Sequence, residues 1–340
     1  MSKPRIHILA LGGTIATRPD ASGAMQMGLG AEDLVAAVPR LAEVADLKAE
    51  TVSRVGSHSL SFDQLHALAD RIRSIAADGI VVTQGTDTLE ETSFLLDLLL
   101  DLDIPVIVTA AMRNPALASA DGPGNLLAAV CVAGDSWVRQ HARALGVVVV
   151  MLDEVYAAAD VLKVYPTRLN AFAAPQTGPL AALVEGRVVP MSLPVSDAIE
   201  NARRTLGTVA GDAQPVALLW MGLDESGRLI EAVLESPDHL GYRGAVLGAM
   251  GGGHLPEGTV AIAHRLATTM PVVVSPRGGG GPLLRHTYGG SQRGDRLAGG
   301  RADLGRSSQS AEGARAARDL PARQTGVRQD CRGVRRLRLG

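Results

Sequence analysis

The stretch from Gly79 to Asp103, GIVVTQGTDTLEETSFLLDLLLDLD, narrows the possible folds more than any other. Ile80-Val81-Val82 is a short apolar run that reads as a buried strand. A polar turn follows from Thr83 to Thr88, after which Leu89, Phe94, Leu95, Leu98 and Leu99 recur with helical period. Thr88 and Glu91 have the spacing of a capping box, which predicts a helix starting at the turn. The turn therefore sits where the carboxyl end of a strand meets the amino end of a helix, the place where open α/β sheets bind ligands. Hydroxyls and a carboxylate crowd that turn; the alternative reading is an ordinary capped connection.

The same alternation continues along the chain. Arg5 to Leu11 reads as a strand, Gly12-Gly13-Thr14 as a sharp turn, Thr17 to Gly30 as a loop and Ala31 to Val38 as a short helix. Leu47 to Val55, Ile104 to Ala110 and Gly146 to Leu152 read as strands, Phe62 to Ala77 and Asn125 to Ala133 as helices, and Met112 to Gly124 as a long loop. Strands alternating with helices argue for a doubly wound parallel sheet. With 340 residues, two domains, or one large one, are expected. The expected fold is α/β: a larger N-terminal doubly wound parallel-sheet domain over residues 1–186, a linker over 187–214 without clear period, and a smaller C-terminal α/β domain over 215–288.

Composition excludes several function classes. The net charge of −2 gives no electrostatic case for nucleic acid or a membrane surface. Cys131 and Cys331 make no disulfide framework, and neither they nor the eight histidines have metal-ligand spacing. No apolar run approaches the ~20 residues of a membrane span. The opening MSKPRIHILALGG turns into a strand and glycine turn too soon for a signal peptide, so a soluble, cytoplasmic protein is expected. The tail over 289–340 is rich in Arg, Gly, Ala, Ser and Gln, without period, and cannot bury enough surface to offset its ordering entropy. It reads as disordered, or as an out-of-frame translation of GC-rich DNA, since it lacks lysine. A nucleic-acid arm is the weaker alternative, because no aromatics follow Tyr288 to interleave with the basic residues.

Three places can carry chemistry. Thr14, behind two glycines after a strand, can present a hydroxyl beside free backbone N–H groups, which pairs a nucleophile with oxyanion donors. LGGTIAT lacks the G-x-G-x-x-G of a dinucleotide site, and the bland reading is a turn with a capping threonine. Thr86 and Asp87 supply a second hydroxyl and a carboxylate. Lys163, one of three lysines in the chain, can exchange protons with a hydroxyl if it lies beside Asp87; a solvated lysine is the commoner case.

These residues lie in segments that resemble a known family. LALGGTIAT at Leu9 to Thr17 and VVTQGTDTLEET at Val81 to Thr92 resemble the two signature motifs of bacterial-type L-asparaginases. The resemblance continues through AAMRNPALASADGPGNL (Ala110 to Leu126), MLDEVYAAADVLK (Met151 to Lys163), AMGGGHLP (Ala249 to Pro256) and VVVSPR (Val272 to Arg277). It implies hydrolysis of the L-asparagine side-chain amide, with L-glutamine as a second candidate substrate, no metal or cofactor, and a homodimer or homotetramer. It further implies Thr14 as the acylated nucleophile, assisted by Thr86, Asp87 and Lys163. Gly13, Ser57, His58, Gly85 and Asp87 are the implied substrate contacts, with His58 standing where many relatives carry glutamine. Three departures stand out. Ala24 falls near the place of a lid tyrosine, Gly252 followed by His254 near that of an asparagine used across subunits, and the tail offers no counterpart of the helices that close the second domain. A non-catalytic, amino-acid-binding member of the family is the reading from a different class.

Overall fold

The computed structural model describes residues 2–19, 25–194, 202–203, 214–281, 283–284, 287 and 302–304. Contacts divide the chain into two compact units, Met1–Val195 and Ser196–Gly340.

The first unit begins with β1 (Arg5–Ala10), followed by a small antiparallel hairpin of β2 (Thr17–Pro19) and β3 (Met25–Met27). The hairpin corrects the expectation of a plain loop over Thr17 to Gly30; Ala24 lies outside the described residues. The main sheet adds β4 (Asp46–Thr51), β5 (Gly79–Thr83), β6 (Val106–Thr109), β7 (Val147–Met151) and β8 (Glu154–Ala157). A two-stranded piece, β9 (Leu162–Lys163) with β10 (Phe172–Ala173), precedes β11 (Ala181–Val184) and β12 (Arg187–Pro190). The eight strands of the sheet run in the order β12-β11-β8-β7-β6-β5-β1-β4. Neighbours from β4 to β7 are parallel, whereas β7, β8, β11 and β12 pair antiparallel.

The parallel sheet expected from the sequence is present over β4 to β7, and β8, β11 and β12 extend it antiparallel. Leu152 and Asp153 connect β7 to β8, both with left-handed φ, at 49° and 62°. Two residues cannot make a crossover, so the chain must fold straight back. Residues 187–190, read as the opening of a linker, instead form the edge strand β12.

Among the described residues, seven helices belong to this unit: α1 (Ala31–Ala36), α2 (Leu41–Val44), α3 (Phe62–Arg73), α4 (Leu89–Leu99), α5 (Gly122–Gly134), α6 (Ser136–Gln140) and α7 (Ala142–Leu145). Ile6, Ile8, Val81, Ile107 and Val148 point to one face, where they share a core with Leu34, Leu41, Leu126 and Ala129 from α1, α2 and α5. By the strand's period of two, Leu9, Ile80, Val82, Val108 and Val149 face the opposite way, and all are buried. Helices α3 and α4 pack together, and α4 lies against β6 and β7. Burial on both faces is why these strands read as unbroken apolar runs. Helix α5 starts three residues earlier than the sequence suggested, with Pro123 in its first turn, where a missing N–H costs nothing.

The second unit holds a parallel sheet in the order β13 (Val216–Trp220), β14 (Gly244–Ala249), β15 (Val272–Pro276), β16 (Ala302–Leu304). Helices α8 (Arg228–Glu235) and α9 (Glu257–Thr269) bury Ile230, Val233, Ala263 and Leu266 against Ala217, Leu219, Leu247 and Val274. On the other face of β13, Leu218 and Trp220 remain 50% and 44% exposed. Residues 302–304 correct the expectation of a wholly unstructured tail; the rest of 289–340 lies outside the described residues. No described helix is long and apolar enough to cross a membrane.

Asp78, just before β5, ties the start of the central strands. Its carboxylate accepts from the Arg5 backbone N at 2.9 Å and from Arg5 Nε at 3.2 Å. These two bonds, the backbone one first, hold the carboxyl below its ordinary pKa. A lowered pKa means the unfolded chain binds the proton more readily. The contribution is therefore present above the ordinary carboxylate value, about 3.9, and is lost as pH falls through the native value. Asp78→Asn should be the less stable variant at neutral pH and should converge with the parent in acid. Urea midpoints measured across pH check this.

Candidate active site

β1 is flanked by β4 on one side and β5 on the other, so the connections after these three strands diverge at one edge of the sheet. That is a topological switch point, and it opens a crevice at the strands' carboxyl ends. Three loops meet there. Leu11 N donates to Thr83 O at 2.8 Å, and Val55 N donates to Leu11 O at 3.2 Å.

Glycines let the loops touch backbone to backbone. Gly12 and Gly13 have φ of 108° and 87°, on the left-handed side where other residues are strained. A Cβ on Gly13 would lie 2.1 Å from Gly85 N and 2.3 Å from Gly85 Cα. A Cβ on Gly85 would lie 2.7 Å from Ser57 Oγ, and one on Gly12 would lie 2.8 Å from Val55 O. The GGT and GT segments are thus one cradle. Thr14 follows directly, opening a single 3₁₀ turn, half-buried, with Ile15 and Ala16 buried behind it. Its backbone carbonyl accepts from Thr17 Oγ1 at 2.8 Å. Among the described residues, no hydrogen bond joins the Thr14 hydroxyl to the second cluster.

That cluster comprises Thr86, Asp87 and Lys163. Lys163 Nζ donates to Thr86 Oγ1 at 2.9 Å and to Asp87 Oδ1 at 3.1 Å. The lysine side chain is 16% exposed and the aspartate 59%, so the pair is reachable from solvent and contributes little net stability. Lys163 arrives on the β9–β10 hairpin, paired with Phe172. Its backbone N donates to Glu90 Oε2, a contact that sequence reasoning missed. The signal was present, since Glu90 lies one turn beyond Thr86 on the same segment.

Ser57 is buried and joins the cradle from the β4 side. Its Oγ accepts from Asp87 N at 3.0 Å, and its carbonyl accepts from Thr88 Oγ1 at 2.7 Å. The second bond corrects the expected capping box. Thr88 is the residue before α4, yet its hydroxyl caps nothing and instead fastens the Ser57 turn. His58 is exposed, with Nδ1 3.6 Å from Asp87 Oδ2, an ion pair only when the ring is protonated. An open pocket of about 300 Å³ is lined by Asp87, Lys163, Val164, Tyr165 and Pro166.

A polar clamp behind the site also escaped the sequence reading. The Asp121 carboxylate accepts from Met112 N at 2.9 Å and Arg113 N at 2.8 Å. Asn125 donates to Ala110 O at 3.0 Å and accepts from Leu152 N at 2.9 Å. Together they fix the connections after β6 and β7. Buried polar residues at the head of an apolar helix were the available clue. Among the described residues, no group of three His, Cys, Asp or Glu side chains is placed to hold a metal ion.

A family model described as the N-terminal part of asparaginase matches residues 5–211. The chain belongs to the asparaginase family. It is 32% identical over 278 residues to L-asparaginase 2 of Escherichia coli (strain K12), covering 79% of this chain and 77% of that protein. It is 40% identical over 197 residues to the glutaminase-asparaginase of Pseudomonas fluorescens biotype A, covering 56% of this chain and 53% of that one. The chain thus aligns with about half the length of the Pseudomonas asparaginase relative. A solved structure described as a probable cytoplasmic L-asparaginase from Campylobacter jejuni superposes with a TM-score of 0.71 at 29% identity, over 84% of this chain and 87% of that one. The α/β architecture is therefore that of the asparaginase family.

Gly13→Ala tests the cradle. At φ 87° and ψ −178° Gly13 occupies a region essentially reserved for glycine, which costs a residue with a Cβ about 1–3 kcal/mol, and the clash with Gly85 adds to it. A lower urea midpoint is expected. Gly124→Ala, where a Cβ meets nothing within 4 Å, is the control and should be neutral or stabilising. Equal midpoints for both variants would mean that the two loops do not touch.

Proposed function

We propose that this chain hydrolyses the side-chain amide of L-asparagine to L-aspartate and ammonia through an acyl-enzyme on Thr14. The observation that carries the reading is the Lys163 amine bridging Thr86 Oγ1 and Asp87 Oδ1 beside the Gly13–Gly85 contact.

An amide is a poor electrophile with a poor leaving group. Dividing hydrolysis into acylation and deacylation splits that barrier. In acylation, Thr14 Oγ attacks the amide carbon, and the C–N bond breaks as the nitrogen takes up a proton. Thr86 and Lys163 relay protons between the hydroxyls and the leaving nitrogen. In deacylation, water attacks the ester and restores the Thr14 hydroxyl. Backbone N–H groups of the glycine turns supply oxyanion donors, which replace water without reorganisation. The substrate is a zwitterion. The Asp87 carboxylate takes its ammonium group, and Ser57 with neighbouring N–H groups takes its carboxylate; Gly13 and Gly85 contribute backbone contacts from the cradle. His58, exposed with its Nδ1 3.6 Å from Asp87 Oδ2, is a further substrate contact. The reaction so written needs no metal or cofactor.

The similarity to the Pseudomonas glutaminase-asparaginase favours a second reading, in which L-glutamine is also cleaved. We further read the chain as a cytoplasmic enzyme and as a homodimer or homotetramer, the first in keeping with the description of the Campylobacter structure.

Ammonia release from asparagine and glutamine, measured side by side on the purified chain, tests the proposal. Cleavage of asparagine is expected. Binding without release would support an amino-acid-binding protein instead. Thr14→Ala should lower kcat by about 10³-fold or more without moving the melting temperature, and Lys163→Met by about 10²–10⁴-fold. Substantial turnover in Thr14→Ala would assign the nucleophile elsewhere.

A further inference from the structure

Tyr165 stands two residues beyond Lys163 and lines the same pocket as Asp87. The sequence holds only four tyrosines, three phenylalanines and two tryptophans, so an aromatic ring on this rim is not compositional filler. The ring is 39% exposed, yet it is held from one side by Arg168, whose Cζ lies 4.1 Å from the ring centroid. Such a stack at an exposed place is worth about 0.5–1 kcal/mol, enough to bias one orientation of the ring. The backbone beneath is fastened as well: Val164 N donates to Ala171 O at 2.7 Å, and the Lys163–Phe172 pair closes the hairpin. Val164 and Pro166, on either side of Tyr165, are also exposed and apolar or ring-closed, so the one charge on this wall is the Arg168 guanidinium stacked on the ring.

We infer that Tyr165, braced by Arg168, is a specificity-determining wall that sets how long a side chain the pocket accepts beside the Asp87–Lys163 pair. This rests on the amidohydrolase reading above. Asparagine and glutamine differ by one methylene, and a pocket wall discriminates such a difference by about 10–200-fold. A charged anchor cannot supply that discrimination, because both substrates carry the same ammonium and carboxylate. A ring biased to one orientation on the wall of the same pocket can. Arg168 acts through the ring and is a positioning residue.

The test uses the full chain with Tyr165→Ala, Tyr165→Phe and Arg168→Leu. Two readouts are taken for asparagine and glutamine: kcat/KM from ammonia release, and binding of each amino acid by titration calorimetry. Tyr165→Ala should shift the asparagine-to-glutamine ratio by about 10-fold or more toward glutamine, mainly through KM. Tyr165→Phe should keep the parent ratio, and Arg168→Leu should fall between them. An unchanged ratio in Tyr165→Ala, or an equal shift in Tyr165→Phe, overturns the wall. If the parent binds amino acids without releasing ammonia, the hydrolase reading fails, and the binding ratio alone decides for or against the wall. If the parent binds neither amino acid, the pocket is not theirs and the inference falls.

Discussion

The structure depends on one close approach, the backbone of Gly13 against the backbone of Gly85. Two segments some seventy residues apart in the chain carry the first hydroxyl and the hydroxyl–carboxylate pair. They can share one crevice only if nothing projects between them. A Cβ on Gly13 would drive into the Gly85 backbone, and one on Gly85 would drive into Ser57. Left-handed φ at Gly12 and Gly13 turns the chain sharply enough to reach Gly85. The sheet order does the rest, because placing β1 between β4 and β5 opens the crevice where these turns lie.

Around that approach, hydrogen bonds are spent on locking loops rather than on ending helices. Thr88 forgoes its helix to hold the Ser57 carbonyl, and Ser57 in turn receives the Asp87 N–H. Glu90 holds the backbone of Lys163 while the amine reaches Thr86 and Asp87. Asp121 and Asn125 do the same for the neighbouring connections. A site that must hold several groups to fractions of an ångström needs such second contacts, since side chains on free loops would sample many geometries.

Much of this was legible in the amino-acid order. Ile80-Val81-Val82 and the run at 147–151 announce strands buried on both faces, because only such strands lack polar alternation. Gly12-Gly13-Thr14 and Thr86-Asp87 announce turns at the ends of strands. The rest was hidden for physical reasons. Capping spacing at Thr88 and Glu91 reports only what a helix could use, and a tertiary partner outbid it. The strands at 181–184 and 187–190 are short and half exposed, so they carry little periodic signal and merge with the segment that follows. Glu90, Asp121 and Asn125 act on partners distant in sequence, which local patterns do not encode.

The two-residue reversal at Leu152-Asp153 has a broader meaning. It takes the chain out of the doubly wound layer before Lys163 is delivered, so amine and cradle belong to different architectural parts. The hydroxyls and the carboxylate sit on connections of the parallel core, while the amine and its aromatic neighbour ride on an appended antiparallel border. Such a division lets the border drift, lengthen or be re-lined while the core stays intact. Lys163 and Tyr165, two residues apart, ride on the same hairpin, so a change to that border reaches both of them while the glycine cradle keeps its place.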